Sequence, residues 1–196
     1  MNRPKLLSDQ VDIREIEVIM RELERTKDTA GDIVEFGCYV GTTSVFLAKE
    51  AAPGKTLHLY DSFEGLPEKS VEDHSPAGEQ FKAGELTATK KQLIANLRSA
   101  GITNARIKKA WFSDLTAADV PAQISFAYLD GDYYLSVMDP LKLIWPKLTP
   151  GAIIVVDDYV NEALPGAAKA VDEWLQTHSA ALRVEQSLAI IRPTLT

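Results

Sequence analysis

Two short runs of apolar residues stop abruptly in carboxylates: Phe126-Ala127-Tyr128-Leu129 leads into Asp130-Gly131-Asp132, and Ile153-Ile154-Val155-Val156 leads into Asp157-Asp158-Tyr159. Both read as strands. In an open α/β sheet, ligands sit beyond the carboxyl ends of the parallel strands, so two neighbouring strands of this kind would bring Asp130, Asp157 and Asp158 together. Carboxylates held that close repel one another. A hard divalent ion of the magnesium type, which prefers oxygen ligands, relieves the repulsion and leaves coordination positions for a substrate hydroxyl. Each residue alone has an ordinary use, as a helix cap or a ribose ligand. The pairing of Asp-Gly-Asp with Asp-Asp is what points to a cation.

The rest of the chain alternates element types in the order such a sheet requires. Val11, Ile13, Ile16, Ile19, Met20 and Leu23 recur at helical spacing after Ser8-Asp9, predicting an opening amphipathic helix within an N-terminal segment 1–30; this stripe serves core or a homodimer interface. Strands are expected at 33–36, 56–60, 105–110, 124–129 and 152–156, and helices at 42–51, 88–100, 136–148 and 167–177. Pro140 is tolerable only in a first turn. Residues 181–186 and 188–192 are close enough to pair as a hairpin. The result is a doubly wound α/β sheet with right-handed crossovers and one antiparallel strand from the hairpin. Dinucleotide folds usually lack that last feature, whereas the class I methyltransferase sheet has it. At 196 residues and 45% hydrophobic content, a single domain covering 1–196 is expected. Segment 62–85 carries Gly65, Pro67, Pro76, Gly78 and Gly84 among several charges, and a loop of that length in a compact domain suggests a lid that orders on ligand binding.

Charge and composition exclude several classes. A net charge of −7 argues against sequence-independent nucleic-acid binding, which needs a basic face. No apolar run reaches membrane-spanning length, and Met1-Asn2-Arg3-Pro4-Lys5 does not open a signal peptide. With the lone Cys38, which has no partner for an internal disulfide, these features predict a cytoplasmic protein.

The first strand runs into Glu35-Phe36-Gly37-Cys38-Tyr39-Val40-Gly41-Thr42-Thr43-Ser44. Gly37 and Gly41 lack the third glycine of a dinucleotide fingerprint, which disfavours a pyrophosphate. The spacing suits a ligand bearing an ammonium and a carboxylate, such as the methionine part of S-adenosylmethionine. Glu35 would meet the ammonium and the helix start the carboxylate. Asp61, about twenty residues further on at the end of the second strand, is placed to accept ribose hydroxyls.

The segments Gly31-Asp32-Ile33-Val34-Glu35-Phe36-Gly37, Asp61-Ser62-Phe63-Glu64-Gly65-Leu66-Pro67, Lys109-Ala110-Trp111-Phe112, Leu129-Asp130-Gly131-Asp132-Tyr133-Tyr134 and Val156-Asp157-Asp158-Tyr159 resemble the TylF/MycF/NovP family of macrocin-type O-methyltransferases. The resemblance extends from about Gly31 to Arg192. It implies S-adenosylmethionine and magnesium as cofactors and a small-molecule hydroxyl, typically on a natural-product sugar, as acceptor. It also implies that Asp130, Asp157 and Asp158 ligate the metal, with Asp130 as base. Cofactor contacts would come from Glu35, Gly37, Gly41, Ser44, Asp61, Ser62, Trp111, Phe112, Ser113 and Asp130. Catechol methyltransferases share the metal layout but carry a lysine three residues after the first Asp, where this chain has Tyr133.

A sulfonium methyl is already activated, so a protein using it must exclude water, align the acceptor oxygen and remove its proton. His74 in the 62–85 segment competes with Asp130 as base. A nucleotide-dependent oxidoreductase and a noncatalytic methyltransferase-like binding module remain as alternatives from other classes.

Overall fold

The computed structural model describes residues 5–76, 78 and 80–194. Seven strands form one sheet: β1 (Asp32–Phe36), β2 (Leu57–Asp61), β3 (Arg106–Lys109), β4 (Ile124–Leu129), β5 (Leu148–Val156), β6 (Ala180–Glu185) and β7 (Leu188–Pro193). Their spatial order is β3-β2-β1-β4-β5-β7-β6. Pairings among β1 to β5 are parallel; β7 runs antiparallel to both β5 and β6. The order of connection reverses between β1 and β4, the chain winding outward through β2 and β3 on one side and through β4 and β5 on the other, and a ligand crevice belongs at that switch point.

Alternation along the strands supplies two cores. Val34, Phe36, Ala127, Leu129, Ile154 and Val156 face one layer of helices, α4 (Tyr134–Ile144) and α5 (Pro165–Leu175). Ile33, Phe126, Tyr128, Ile153 and Val155 face the other, α1 (Ile13–Glu24), α2 (Thr42–Glu50) and α3 (Lys90–Ser99). Strand β4 is buried at every position because both its faces are covered. The class I methyltransferase architecture expected from the sequence is therefore the observed one.

Helix α1 starts in a capping box, with Asp12 and Glu15 satisfying each other's backbone N–H groups, and its apolar stripe enters the core: Ile16, Ile19 and Leu23 are buried. Its polar side is bound to the terminal hairpin, where the buried Glu22 accepts from Arg183 (2.7 Å) and Arg192 (2.8 Å). Burial opposes charge on Glu22, and the arginine contacts outweigh it, holding the carboxyl below its ordinary range.

Two local expectations change. Helix α4 begins at Tyr134, so Pro140 lies in its interior and not in the first turn; the helix ends soon after, and residues 145–147 tighten into a 3₁₀ turn containing Pro146. Segment 62–85, whose positions 77 and 79 lie outside the described residues, is not structureless. Leu66 N–H donates to Glu85 O and Gly84 N–H to Leu66 O, both at 2.9 Å. Leu66, Phe81 and Leu86 close over Tyr133 and Leu164 in a small apolar cluster. Asp73 fastens the middle of the segment by accepting Tyr134 N–H at 2.6 Å. Among the described residues, no helix is long and apolar enough to cross a membrane.

Candidate active site

A cavity of about 310 Å³ opens at the carboxyl ends of the central strands. Of the sequence-predicted residues, Gly37, Asp61, Ser62, Trp111, Phe112, Ser113, Asp130 and Asp158 line it. Glu35, Gly41, Ser44 and Asp157 do not. The segment 62–86 forms one wall through Leu66, Pro67, Glu68, Phe81 and Leu86. His74 is exposed and outside the lining.

The two halves of the floor meet at Gly37. Asp130 N–H donates to Phe36 O at 2.8 Å as the chain leaves β4, and a Cβ at Gly37 would stand 1.8 Å from Asp130 O. With φ at 88°, the position requires glycine on both counts. The turn that follows is fixed by Asp61: its Oδ2 accepts from Cys38 N–H (2.7 Å) and Tyr39 N–H (2.9 Å), and its Oδ1 accepts from Phe63 N–H (2.7 Å). One acceptor position on Oδ1 stays available. Gly41 is the N-cap of α2 with φ 92°, and it places no side chain over the first-turn N–H groups.

Beneath this turn, Glu35 Oε2 and Ser44 Oγ are buried without a hydrogen-bond partner among the described residues. Burial, reinforced by the nearby Asp61 charge, pushes the Glu35 carboxyl up to about 8. Trp111 is half-buried on the cavity wall, and Phe112 stands edge-on to Phe36 at 5.4 Å.

At the ends of β4 and β5, the structure gathers Asp130, Asp132 and Asp158, each with a carboxylate oxygen within 4.8 Å of the others. Burial first and neighbouring carboxylate charge second raise all three above the usual carboxylate range, Asp158 to about 7; the leading charge is Asp157 for Asp130 and Asp158, and Asp158 for Asp132. Asp132 and Asp158 both sit in the left-handed region, at φ 63° and 59°, which turns their side chains back into the cavity. Asp157 does not line the cavity, although the Tyr128 hydroxyl lies against both its carboxylate and that of Asp130. Its Oδ2 accepts the Tyr128 hydroxyl, and its Oδ1 accepts from Ser187 Oγ (3.0 Å) and Asp158 N–H (2.8 Å). Asp132, present in the Asp-Gly-Asp motif, is the residue that reading strand ends alone did not place in the site. Asp adopts left-handed backbone more often than most residues, but the sequence does not mark which Asp does so.

The described lining residues thus set a carboxylate cluster, with no lysine, arginine or histidine among them, beside a glycine turn. The macrocin O-methyltransferase (TylF) model matches residues 10–188. The chain belongs to that family. It is 32% identical over 142 residues to the 8-demethyl-8-(2,3-dimethoxy-alpha-L-rhamnosyl)-tetracenomycin-C 4'-O-methyltransferase of Streptomyces olivaceus, covering 68% of this chain and 54% of that enzyme. It is 27% identical over 159 residues to the mycinamicin III 3''-O-methyltransferase of Micromonospora griseorubida, covering 76% and 61%. The chain thus spans little more than half the length of these relatives. The solved O-methyltransferase NovP has the same fold, with a TM-score of 0.79 at 23% identity, covering 94% of this chain and 81% of that one.

Proposed function

We propose that this protein transfers a methyl group from S-adenosylmethionine to a hydroxyl of a small molecule, on a sugar of a natural product, with the help of a divalent cation. The observation that carries the reading is the approach of the Gly37 turn to Asp130, which sets a nucleoside-type half-site against a carboxylate cluster across one peptide contact. Both implied groups suit the residues present. Asp61, which lines the cavity with an acceptor position still open on Oδ1, suits a ribose hydroxyl, and an all-oxygen set of three carboxylates suits a hard ion such as magnesium.

When bound, S-adenosylmethionine supplies a methyl already activated on sulfur, and the cation supplies charge that favours the alkoxide form of the acceptor. The protein's part follows from its own groups. The free acceptor position on Asp61 would receive a ribose hydroxyl, and Trp111 and Phe112 would flank the adenine. Asp130, Asp132 and Asp158 would hold the cation. Asp157, in the metal set that the family resemblance implies, reaches the cluster only by exchanging its bonds to Tyr128 and Ser187. Asp130 lies at the junction of the two halves and accepts the acceptor's proton as the oxygen attacks. Leu66, Phe81 and Leu86 exclude water above it. The test is an assay with S-adenosylmethionine, magnesium and a panel of deoxyhexose glycosides, read by mass spectrometry. Addition of one methyl with release of S-adenosylhomocysteine is the expected result; cofactor binding without methylation of any hydroxyl acceptor would leave only a binding module.

A further inference from the structure

The crossover from β3 to β4 is unlike the other parallel crossovers. Those from β1 to β2, from β2 to β3 and from β4 to β5 each carry an α-helix, whereas residues 110–123 contain only the 3₁₀ turn Phe112–Asp114. The edge strand β3 is left with Arg106 and Lys108 exposed. A second cavity, of about 220 Å³, lies there between β2, β3 and residues 118–121.

The register of β2 and β3 decides what lines it. His58 pairs with Arg106 and Tyr60 with Lys108, and side-by-side partners share a face of the sheet, so all four side chains meet this cavity. The active-site cavity has no lysine, arginine or histidine among its described lining residues; this one has one of each. The one carboxylate in the described lining is engaged. Asp119 holds Lys108 and accepts from Thr116 N–H (2.8 Å) and Thr116 Oγ1 (2.9 Å). The Tyr60 hydroxyl donates to Asp119 O at 2.9 Å. Two groups are left without a hydrogen-bond partner among the described residues, the Arg106 guanidinium and Nδ1 of His58.

His58 sets the choice of ligand. Its ring is buried, and Nε2 lies 3.0 Å from Asp32 Oδ2, while Asp32 Oδ1 accepts Thr56 N–H at 2.9 Å. An ionised carboxylate can only accept, so Nε2 carries the ring proton and Nδ1 is left as an acceptor. A ligand that satisfies both open groups needs anionic oxygens for the Arg106 fork and a hydroxyl to donate to Nδ1. A carboxylate offers the first without the second. Hydrogen phosphate offers both.

We propose that this cavity is a binding site for inorganic phosphate, with Arg106 taking its anionic oxygens and His58 Nδ1 accepting from its P–OH. Asp32 selects the ligand at one remove, because it fixes which nitrogen of His58 bears the proton. The site is separate from the carboxylate floor and does not depend on the methyl-transfer reading.

The test titrates inorganic phosphate, sulfate and phenyl phosphate into the full chain in metal-free buffer at about pH 8, on the alkaline side of free imidazole. Binding is followed by calorimetry and by NMR of the histidine rings, of which the chain has three. Phosphate should bind at one site and shift the His58 ring signals, leaving those of His74 and His178 in place. Sulfate and phenyl phosphate carry no proton at this pH and should bind weaker by about 10-fold or more. Arg106→Gln, at an exposed position, should weaken phosphate by about 10-fold or more and leave the denaturant midpoint unchanged. Asp32→Asn keeps an acceptor for Thr56 N–H but offers His58 Nε2 a donor, which moves the ring proton to Nδ1; it should narrow or reverse the preference for phosphate over sulfate. Sulfate binding as tightly as phosphate to the wild-type chain overturns the proposal. So do His58 signals that stay in place at saturating phosphate, or a phosphate affinity unchanged in Arg106→Gln.

Discussion

The two halves of the cavity floor are built from the same kind of residue and stand in opposite states. At the end of β2, Asp61 is surrounded by donors and accepts three backbone N–H groups. At the ends of β4 and β5, Asp130, Asp132 and Asp158 face one another, and burial and repulsion raise their pKa values. One half is complete before any ligand arrives, so it is a rigid seat. In the proposed reading the other is completed by a cation, so its geometry and its affinity for that cation would be one property. A carboxylate's neighbours, not its identity, decide whether it builds the fold or waits for a ligand.

Substitutions that exchange these roles test the comparison. The largest effect belongs to Asp130→Asn, which should lower single-turnover methyl transfer by about 100- to 10,000-fold while leaving S-adenosylhomocysteine affinity nearly unchanged. Asp158→Asn should cost less turnover, since an amide oxygen still ligates and the proton acceptor remains. Comparable losses in the two variants would remove the assignment of Asp130 as base. On the rigid side, Asp61→Ala should weaken S-adenosylhomocysteine by roughly 10- to 100-fold in calorimetry, through loss of a charge-assisted bond and loosening of the 38–39 turn. Unchanged affinity in a folded protein would place the nucleoside elsewhere.

Gly37→Ala strikes the junction. It forces a Cβ against Asp130 O and should destabilise the chain by about 1–3 kcal/mol, visible in denaturant unfolding. It should also weaken both cofactor and cation binding, whereas damage to one site alone would mean that the halves are independent.

A further effect is a pH dependence. Glu35 holds its proton longer in the folded chain, up to about 8. Its contribution is therefore fully present below the ordinary carboxylate range and is lost as pH rises toward about 8. Glu35→Gln in the ligand-free protein should match wild type near pH 4 and melt at a higher temperature near pH 8 (about 4 and 8, spanning the ordinary and raised values). Parallel melting profiles would show that Glu35 is not charged against its surroundings.

The fold was legible because it rests on repetition. Buried runs such as 124–129 and 152–156 are central strands, and five of the six apolar positions of the 11–23 stripe lie in α1, Val11 preceding its cap. The strand ends were legible for the same reason, since Leu129 does pair with Val156 and places Asp130 beside the Asp157-Asp158 pair. What the pattern could not give is the direction of side chains one or two residues past a strand, where alternation no longer applies. There, a left-handed backbone brings in Asp132, and hydrogen bonds from Tyr128 and Ser187 hold Asp157 aside. Ser187 arrives from the hairpin turn, far away in sequence. Within segment 62–85 the glycines, prolines and charges outnumber Leu66 and Phe81, so the sequence did not announce that these two pack with Leu86 against Tyr133 and Leu164.

Manganese binding followed by electron paramagnetic resonance tests the central contrast most directly. The protein should bind one ion per chain. Asp130→Asn, Asp132→Asn and Asp158→Asn should each weaken it, Asp61→Ala should leave it intact, and methyl transfer to a deoxyhexose glycoside should rise with occupancy. Full methyl transfer after exhaustive chelation, with no manganese signal from the wild-type chain, would contradict the account.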